Sequence, residues 1–266
     1  MIRRATSNNV EVRLNISNVG PRFGLAKLTA SGIRGALILV ALSALLLFAA
    51  RPMQGQTETV LYSFGGQYGD AAYPLYAGLA LDKQGDLYGT TPNFGANNGG
   101  TVFKLTPTGT ETVLHSFGRA YVGPDGSQPY GGVVLDKKGN LYGTTGLGGA
   151  NNSGTVFEMT PDGAETVLYS FGNQPGDGAF PLAGLVLDKQ GNLYGTTVYG
   201  GAHGGGTVFQ LTPDGAETVL YSFGSQPGDG TNPYAGLVLD KKGNLYGTTG
   251  AGGQYGFGGT VFKVTP

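Results

Sequence analysis

Apolar and polar positions along this chain fall into short runs that recur at a fixed interval. Across one interval the runs read G-L-V-L-D (184–188), N-L-Y-G-T-T (192–197), G-T-V-F-Q-L-T (206–212) and A-E-T-V-L-Y-S-F (216–223). Each is rich in Val, Thr, Tyr, Phe and Leu and is bounded by Gly, Pro, Asp or Asn, which predicts four strands, A to D. The L-Y-G-T tetrads begin at 87, 141, 193 and 245, in steps of 54, 52 and 52 residues. A period near 50 residues signals a repeat architecture. No stretch after residue 56 has the periodicity or length of a helix.

The links sort the strands. Lys189-Gln190-Gly191 between A and B and Pro213-Asp214-Gly215 between C and D are tight turns ending in glycine, so A–B and C–D read as hairpins. The B–C loop is longer and glycine-rich, and the D–A connection carries G-D-G-x-x-P. A four-stranded meander repeated four times predicts an all-β, four-bladed β-propeller. A β-solenoid is the alternative, but its rungs are usually shorter and lack two tight hairpins per repeat. Strand A is expected nearest the axis, where the small pairs Ala77-Gly78, Gly131-Gly132, Ala183-Gly184 and Ala235-Gly236 suit crowding between blades. The chain enters on a D segment (58–64) and leaves after A, B and C. Antiparallel pairing of residues 58–64 with 260–265 would complete the last blade and close the ring, leaving no free sheet edge. The alternative is an open array completed by another copy or by further sequence.

The motif L-Y-G-T-T-x-x-G-G-x(4–5)-G-T-V-F, with Phe94 in place of the first paired glycine in the first copy, is followed by E-T-V-L-Y-S-F. Over residues 58–266 this resembles the GloVer tandem repeat of secreted, mostly bacterial "choice-of-anchor" proteins. The resemblance implies a repeat and a sorting habit, and no agreed biochemical activity. Its members are often longer and end in a sorting signal, whereas this chain reaches Pro266 in mid-repeat with neither a hydrophobic tail nor an anchor motif.

The start of the chain differs in kind. Arg3, Arg4, Arg13, Arg22, Lys27 and Arg34 precede an apolar run at 35–50 broken only by Ser43. A basic flank and a short apolar core predict a secretory signal peptide within residues 1–55, ahead of a repeat domain at 56–266. The run is slightly short for a membrane-spanning helix, so a membrane link is expected only through an uncleaved N-terminus. Seven of the 16 basic residues and one of the 17 acidic residues lie in that segment, leaving 9 against 16 and a net charge of −7. That balance argues against nucleic acid as a partner and suits a secreted or cell-surface location. The absence of cysteine excludes disulfides and thiolate chemistry. Glycine numbers 51 but follows no collagen period, and its fixed places read as turns.

Candidate chemistry falls on the B–C and D–A loops, which share one edge of each meander, because long loops on a rigid frame carry function. The recurring Asp70, Asp125, Asp177 and Asp229 have two readings: turn caps bonded to their own backbone, or oxygen ligands at a channel mouth. One carboxylate per repeat is a weak metal signal, and no metal or cofactor is implied. Asp82, Asp136, Asp188 and Asp240, in D-K-x-G, read as hairpin residues. Tyr68, Phe94, Tyr121, Tyr130, Phe180, Tyr199, Tyr234, Tyr255 and Phe257 sit on the long loops and vary between repeats. They either stack on a sugar or protein ligand or fold over loop backbone. Tyr88, Tyr142, Tyr194 and Tyr246 recur and read as core. The candidate ligand site is therefore Tyr130, Phe180, Tyr199 and Tyr234 with Asp125, Asp177 and Asp229, for an extracellular glycan or protein. Catalysis finds little support, since His115 replaces a strand tyrosine and His203 lacks an evident partner. A polysaccharide-active enzyme and a purely structural surface protein stay open as alternatives. The chain is expected to be monomeric if the ring closes and dimeric if it is open.

Overall fold

The computed structural model describes residues 9–11, 29–31, 57–65, 69–118 and 123–265. The chain divides into two units, Met1–Thr59 and Val60–Pro266. In the first, Asn9–Glu11 pairs antiparallel with Thr29–Ser31, a short ladder that no sequence signal announced. The apolar run at 35–50 and its expected signal helix lie outside the described residues.

The second unit is all-β among its described residues, a propeller-like stack of antiparallel meanders. In the third repeat Val186–Leu187, Leu193–Thr197, Thr207–Leu211 and Glu217–Ser222 lie side by side in the order A-B-C-D. The first two repeats form the same four-stranded sheet. The fourth has three strands, Val238–Leu239, Leu245–Thr249 and Thr260–Val264. Strand A is shorter than its five-residue sequence segment, because only two of its residues make ladder pairs before the chain turns away. A register shift between Val208 and Phe209 bends each outer C–D pair, and it recurs at Val102/Phe103 and Val156/Phe157.

In the second and third repeats both sheet faces are covered by neighbouring repeats, which explains why strand C is apolar without alternation. Val156 and Phe171 of the second repeat pack against Leu185, Leu193, Phe209 and Leu211 of the third. Val208 and Phe223 of the third pack in turn against Leu237 and Leu245 of the fourth. The phenylalanines of D and C meet across each interface, with ring centroids 5.0 Å apart for Phe171 and Phe209. The glycine of L-Y-G-T-T makes room for that ring: a Cβ on Gly195 would stand 2.6 Å from Phe209 and 2.8 Å from Leu185. Near strand A, Thr90, Thr144 and Thr196 donate to the carbonyls of Gly131, Ala183 and Ala235 in the next repeat, at 3.0, 2.9 and 3.2 Å.

The expected closing pair is not formed. Among the described residues Thr260–Val264 pairs only with Leu245–Thr249. Residues 60–64 instead lie on the first repeat, where Phe64 meets Phe103 at 4.9 Å in the way Phe171 meets Phe209. The backbone carbonyl of Leu61 faces Gly109 just as that of Leu114 faces Gly163. The segment thus occupies the place of a D strand belonging to a repeat before the first. Sequence arithmetic identified it as a D strand; which sheet face it covers is decided by the inter-repeat packing, which spacing does not report.

Candidate functional site

The long loops are more ordered than their glycine content suggests. In the third repeat Gly178–Ala179 of the D–A loop pairs with Tyr199–Gly200 of the B–C loop, and Gly230–Thr231 pairs with Ala251–Gly252 in the fourth. Ala71–Ala72 and Asn93–Phe94 do the same in the first, and an isolated Ser127–Leu147 bridge replaces the ladder in the second.

The D–A aspartates hold these loops. Asp177 Oδ2 accepts the Tyr169 hydroxyl at 3.0 Å and the Asn173 N–H at 2.9 Å, while Oδ1 accepts the Gly178 N–H at 2.6 Å. Asp229 accepts the Tyr221 hydroxyl at 3.0 Å and the backbone N–H groups of Gly224, Ser225 and Gly230. Asp125 accepts the Gly118 N–H and faces His115 Nε2 at 3.1 Å. Burial pulls the Asp229 carboxyl upward, but donors from Ser225, Tyr221 and Gly230 outweigh it and hold its pKa below the usual value. These side chains are committed to their own backbone, the capping alternative of the two raised by the sequence. Among the described residues no three His, Asp or Glu side chains gather as a metal-ligand set.

One residue after each loop turn carries strain. Tyr73, Gln128, Phe180 and Asn232 all take a left-handed φ of 57–59°, and each directly precedes a proline. The conformation is held from both sides. The Phe180 N–H donates to Ser153 O of the previous repeat at 2.8 Å, and its carbonyl accepts from Val198 of its own at 3.1 Å. Asn232 is held likewise by Gly205 O and Gly250 N. Non-glycine residues persist in this region when their surroundings over-determine them, and such strain clusters at ligand sites.

Three of the four candidate aromatics are brought together. The rings of Phe180 and Tyr199 meet edge to face with centroids 5.6 Å apart. The Tyr199 hydroxyl lies near enough to that of Tyr234 to raise the Tyr234 pKa above its ordinary value. Tyr234 lies over Gly250, where a Cβ would come within 2.8 Å of its ring. Tyr199 and Tyr234 are 47% and 53% exposed, so this cluster of repeats three and four presents aromatic surface to solvent. Tyr130 stands apart with Tyr76, 6.3 Å between centroids. Tyr73 and Phe94 form a third pair at 5.8 Å. Tyr255 and Phe257 are exposed, and Tyr68 and Tyr121 lie outside the described residues.

Two features escaped sequence reasoning. On the hairpin edge a funnel of about 1750 Å³ opens between repeats, lined by Asp82, Asp136, Asp188, Asp240 and the lysines of the A–B turns. Of the four tyrosines expected in the core, Tyr88 and Tyr194 are buried, with hydroxyls donating to Asp82 at 3.0 Å and Asp188 at 3.1 Å. Tyr142 is half-buried and Tyr246 is 36% exposed, because among the described residues nothing covers that face of the fourth repeat. Second, the glutamates that open the D strands at 111, 165 and 217 are drawn into the interface with the preceding D segment. Burial, then repulsion from Asp125 and Asp177, pushes the carboxyls of Glu165 and Glu217 up to about 7. One oxygen of each is buried without a hydrogen-bond partner, as is that of Glu111. The recurrence of E-T-V at 58, 111, 165 and 217 was the available signal. It was read as strand sequence, because nothing in it names the carboxylate across the interface.

The family model of the Gloeobacter/Verrucomicrobia repeat matches residues 46–188 and 174–266. No curated protein matches the chain by sequence. Among solved structures, the chain is similar to a protein provisionally named a gluconolactonase, at 20% identity and a TM-score of 0.39, over 77% of this chain and 63% of that one. It is similar to the extracellular domain of a provisionally named hybrid two-component system from B. thetaiotaomicron, at 15% identity and a TM-score of 0.47, over 71% of this chain and 20% of that one. A third, from Thermus thermophilus and provisionally named an oxidoreductase (glucose dehydrogenase), has 20% identity and a TM-score of 0.44 over 75% and 64% of the two chains. This chain therefore spans less than two thirds of the length of each.

Proposed function

The chain belongs to the Gloeobacter/Verrucomicrobia repeat family, and on that premise we propose that it is an extracellular scaffold whose four repeats act as blades and whose long-loop edge binds carbohydrate. The observation that carries this reading is the Phe180–Tyr199–Tyr234 cluster, held on over-determined backbone with two of its rings about half exposed. Aromatic faces beside amide side chains suit sugar rings, which offer C–H groups on one face and hydroxyls at the rim. Asn232 lies in the same loop, and its side-chain amide donates to Val198 O at 3.1 Å, keeping its oxygen for a ligand. In this reading Asp125, Asp177 and Asp229 shape the loops, and ligand contact falls to the rings.

The equivalence of the repeats favours a scaffold over an enzyme. The carboxylate pairs Glu165–Asp125 and Glu217–Asp177 recur at successive interfaces, so no repeat is set apart by a carboxylate pair of its own, and the one departure is His115 in the tyrosine's place beside Asp125. Export follows from the basic and apolar start of the chain.

The test is affinity electrophoresis of the chain through gels containing a panel of soluble plant and bacterial polysaccharides. At least one should retard it, and Tyr234→Ala and Tyr199→Ala should each weaken retention about fivefold to thirtyfold, corresponding to about 1–2 kcal/mol of lost ring contact. Lys241→Ala, on the hairpin edge, should leave it unchanged. Equal loss from all three would move the site off the long loops, and retention by a protein partner with none by any glycan would replace carbohydrate as the ligand.

A further inference from the structure

The two ends of the repeat array are left open, and they match each other. At the internal interfaces the leading face of each repeat is covered: Val133, Leu185 and Leu237 are 3–6% exposed. Their counterpart in the first repeat, Leu79, is 58% exposed, and Leu81 is 65% exposed. On the trailing face Val102, Val156 and Val208 are fully buried, whereas Val261 is 84% exposed and Val238 67%. Thr248, fourth in the series of Thr90, Thr144 and Thr196, is likewise exposed. Among the described residues Thr260–Val264 has no D strand beside it, and residues 60–64 form a D segment with no C strand beside them.

We propose that these ends bind each other between molecules, so that the fourth repeat of one copy seats on the first repeat of a second. The internal interfaces supply the register. Val156 pairs with Tyr169 and Val208 with Tyr221, which places Val261 opposite Tyr62 of the neighbouring copy and Phe262 opposite its Val60. Phe262 already packs on Phe223 at 4.9 Å, so Phe64 of the neighbour takes the outer place of the completed sheet. The neighbour's Leu79 and Leu81 then cover Val238, Tyr246 and Val261, as Leu185 and Leu187 cover Val134, Tyr142 and Val156 within the chain. Within one copy these faces do not meet, and an apolar face bordered by an unpaired strand edge favours association. A head-to-tail contact of this kind makes a ring when its rotation closes. Two copies bring eight repeat meanders, four from each, the upper end of the common range of about four to eight blades. The contact uses neither the long loops nor their aromatics, so it stands independently of carbohydrate binding.

Light scattering on the full chain should give twice the chain mass. Val261→Asp alters a residue 84% exposed in the single copy and should halve that mass without changing the circular dichroism. The chain contains no cysteine, so Tyr62→Cys and Val261→Cys variants can be joined selectively by a short bis-maleimide. Covalent dimer should form when the two single variants are mixed and not with either alone. A wild-type monomer, or a dimer indifferent to Val261→Asp, would overturn the proposal. So would bridging confined to the double variant within one chain, which would instead reveal closure of a single copy.

Discussion

The two loop edges of the repeats use the same backbone economy to opposite ends. On the hairpin edge every repeat presents the same side chains: an aspartate that accepts two backbone N–H groups, a glycine at positive φ and a tyrosine hydroxyl on the same carboxylate. Asp188 does this with Gln190, Asn192 and Tyr194, and Asp240 with Lys242, Asn244 and Tyr246. On the long-loop edge the backbone recurs but the side chains do not. The left-handed position holds Tyr73, Gln128, Phe180 and Asn232 in turn, and the position after its proline holds Leu75, Tyr130, Leu182 and Tyr234. A fixed frame with variable side chains at a few strained positions is how rigid scaffolds present binding surfaces. Fixed side chains on the other edge stabilise turns.

The strongest way to break the comparison is to remove the frame beneath both edges. Phe209 is fully buried and packs against side chains of both its own repeat and the one before. Phe209→Ala should cost about 3–5 kcal/mol in urea unfolding, with loss of ligand retention and hairpin protection together. Retention surviving such a loss would mean that the loop edge folds without the stack.

A smaller effect follows from the glutamates at the interfaces. Glu217 faces Asp177 and Tyr169, and Glu165 faces Asp125; both carboxyls have pKa values raised to about 7 from 4.5. A raised carboxyl stabilises the fold most below its unfolded pKa, and that contribution is lost as pH rises through the folded value. The melting temperature should therefore fall between pH 5 and pH 8, about the window between those values, and Glu217→Gln should flatten part of the slope. A melting temperature that rises across that window, or an unchanged slope in the variant, would show that these carboxyls are ionised in the folded chain.

Much of this arrangement is written in residue order. The A-B-C-D meander, the two hairpins and the capping role of the Asp188 series all follow from turn residues and alternation, which are local. The loop-to-loop pairs of Gly178–Ala179 with Tyr199–Gly200 were missed because glycine-rich sequence carries no β pattern. The approach of Phe180 to Tyr199 and of Tyr199 to Tyr234 was equally hidden, since the three are distant in sequence and joined only by the ladders beneath them. Residues 60–64 read as a D strand and take a D strand's place against the first repeat, but their expected pairing with 260–264 is not formed, because residue order does not report which sheets meet.

Hydrogen exchange in the presence of a retained polysaccharide tests most directly whether the variable edge is the binding edge. Protection should appear in residues 178–182, 198–206 and 230–236, the loops that carry Phe180, Tyr199 and Tyr234, while the hairpins at 188–192 and 240–244 keep the rates of the free protein. Protection centred on those hairpins and the funnel they line, with the long loops unchanged, would contradict the account.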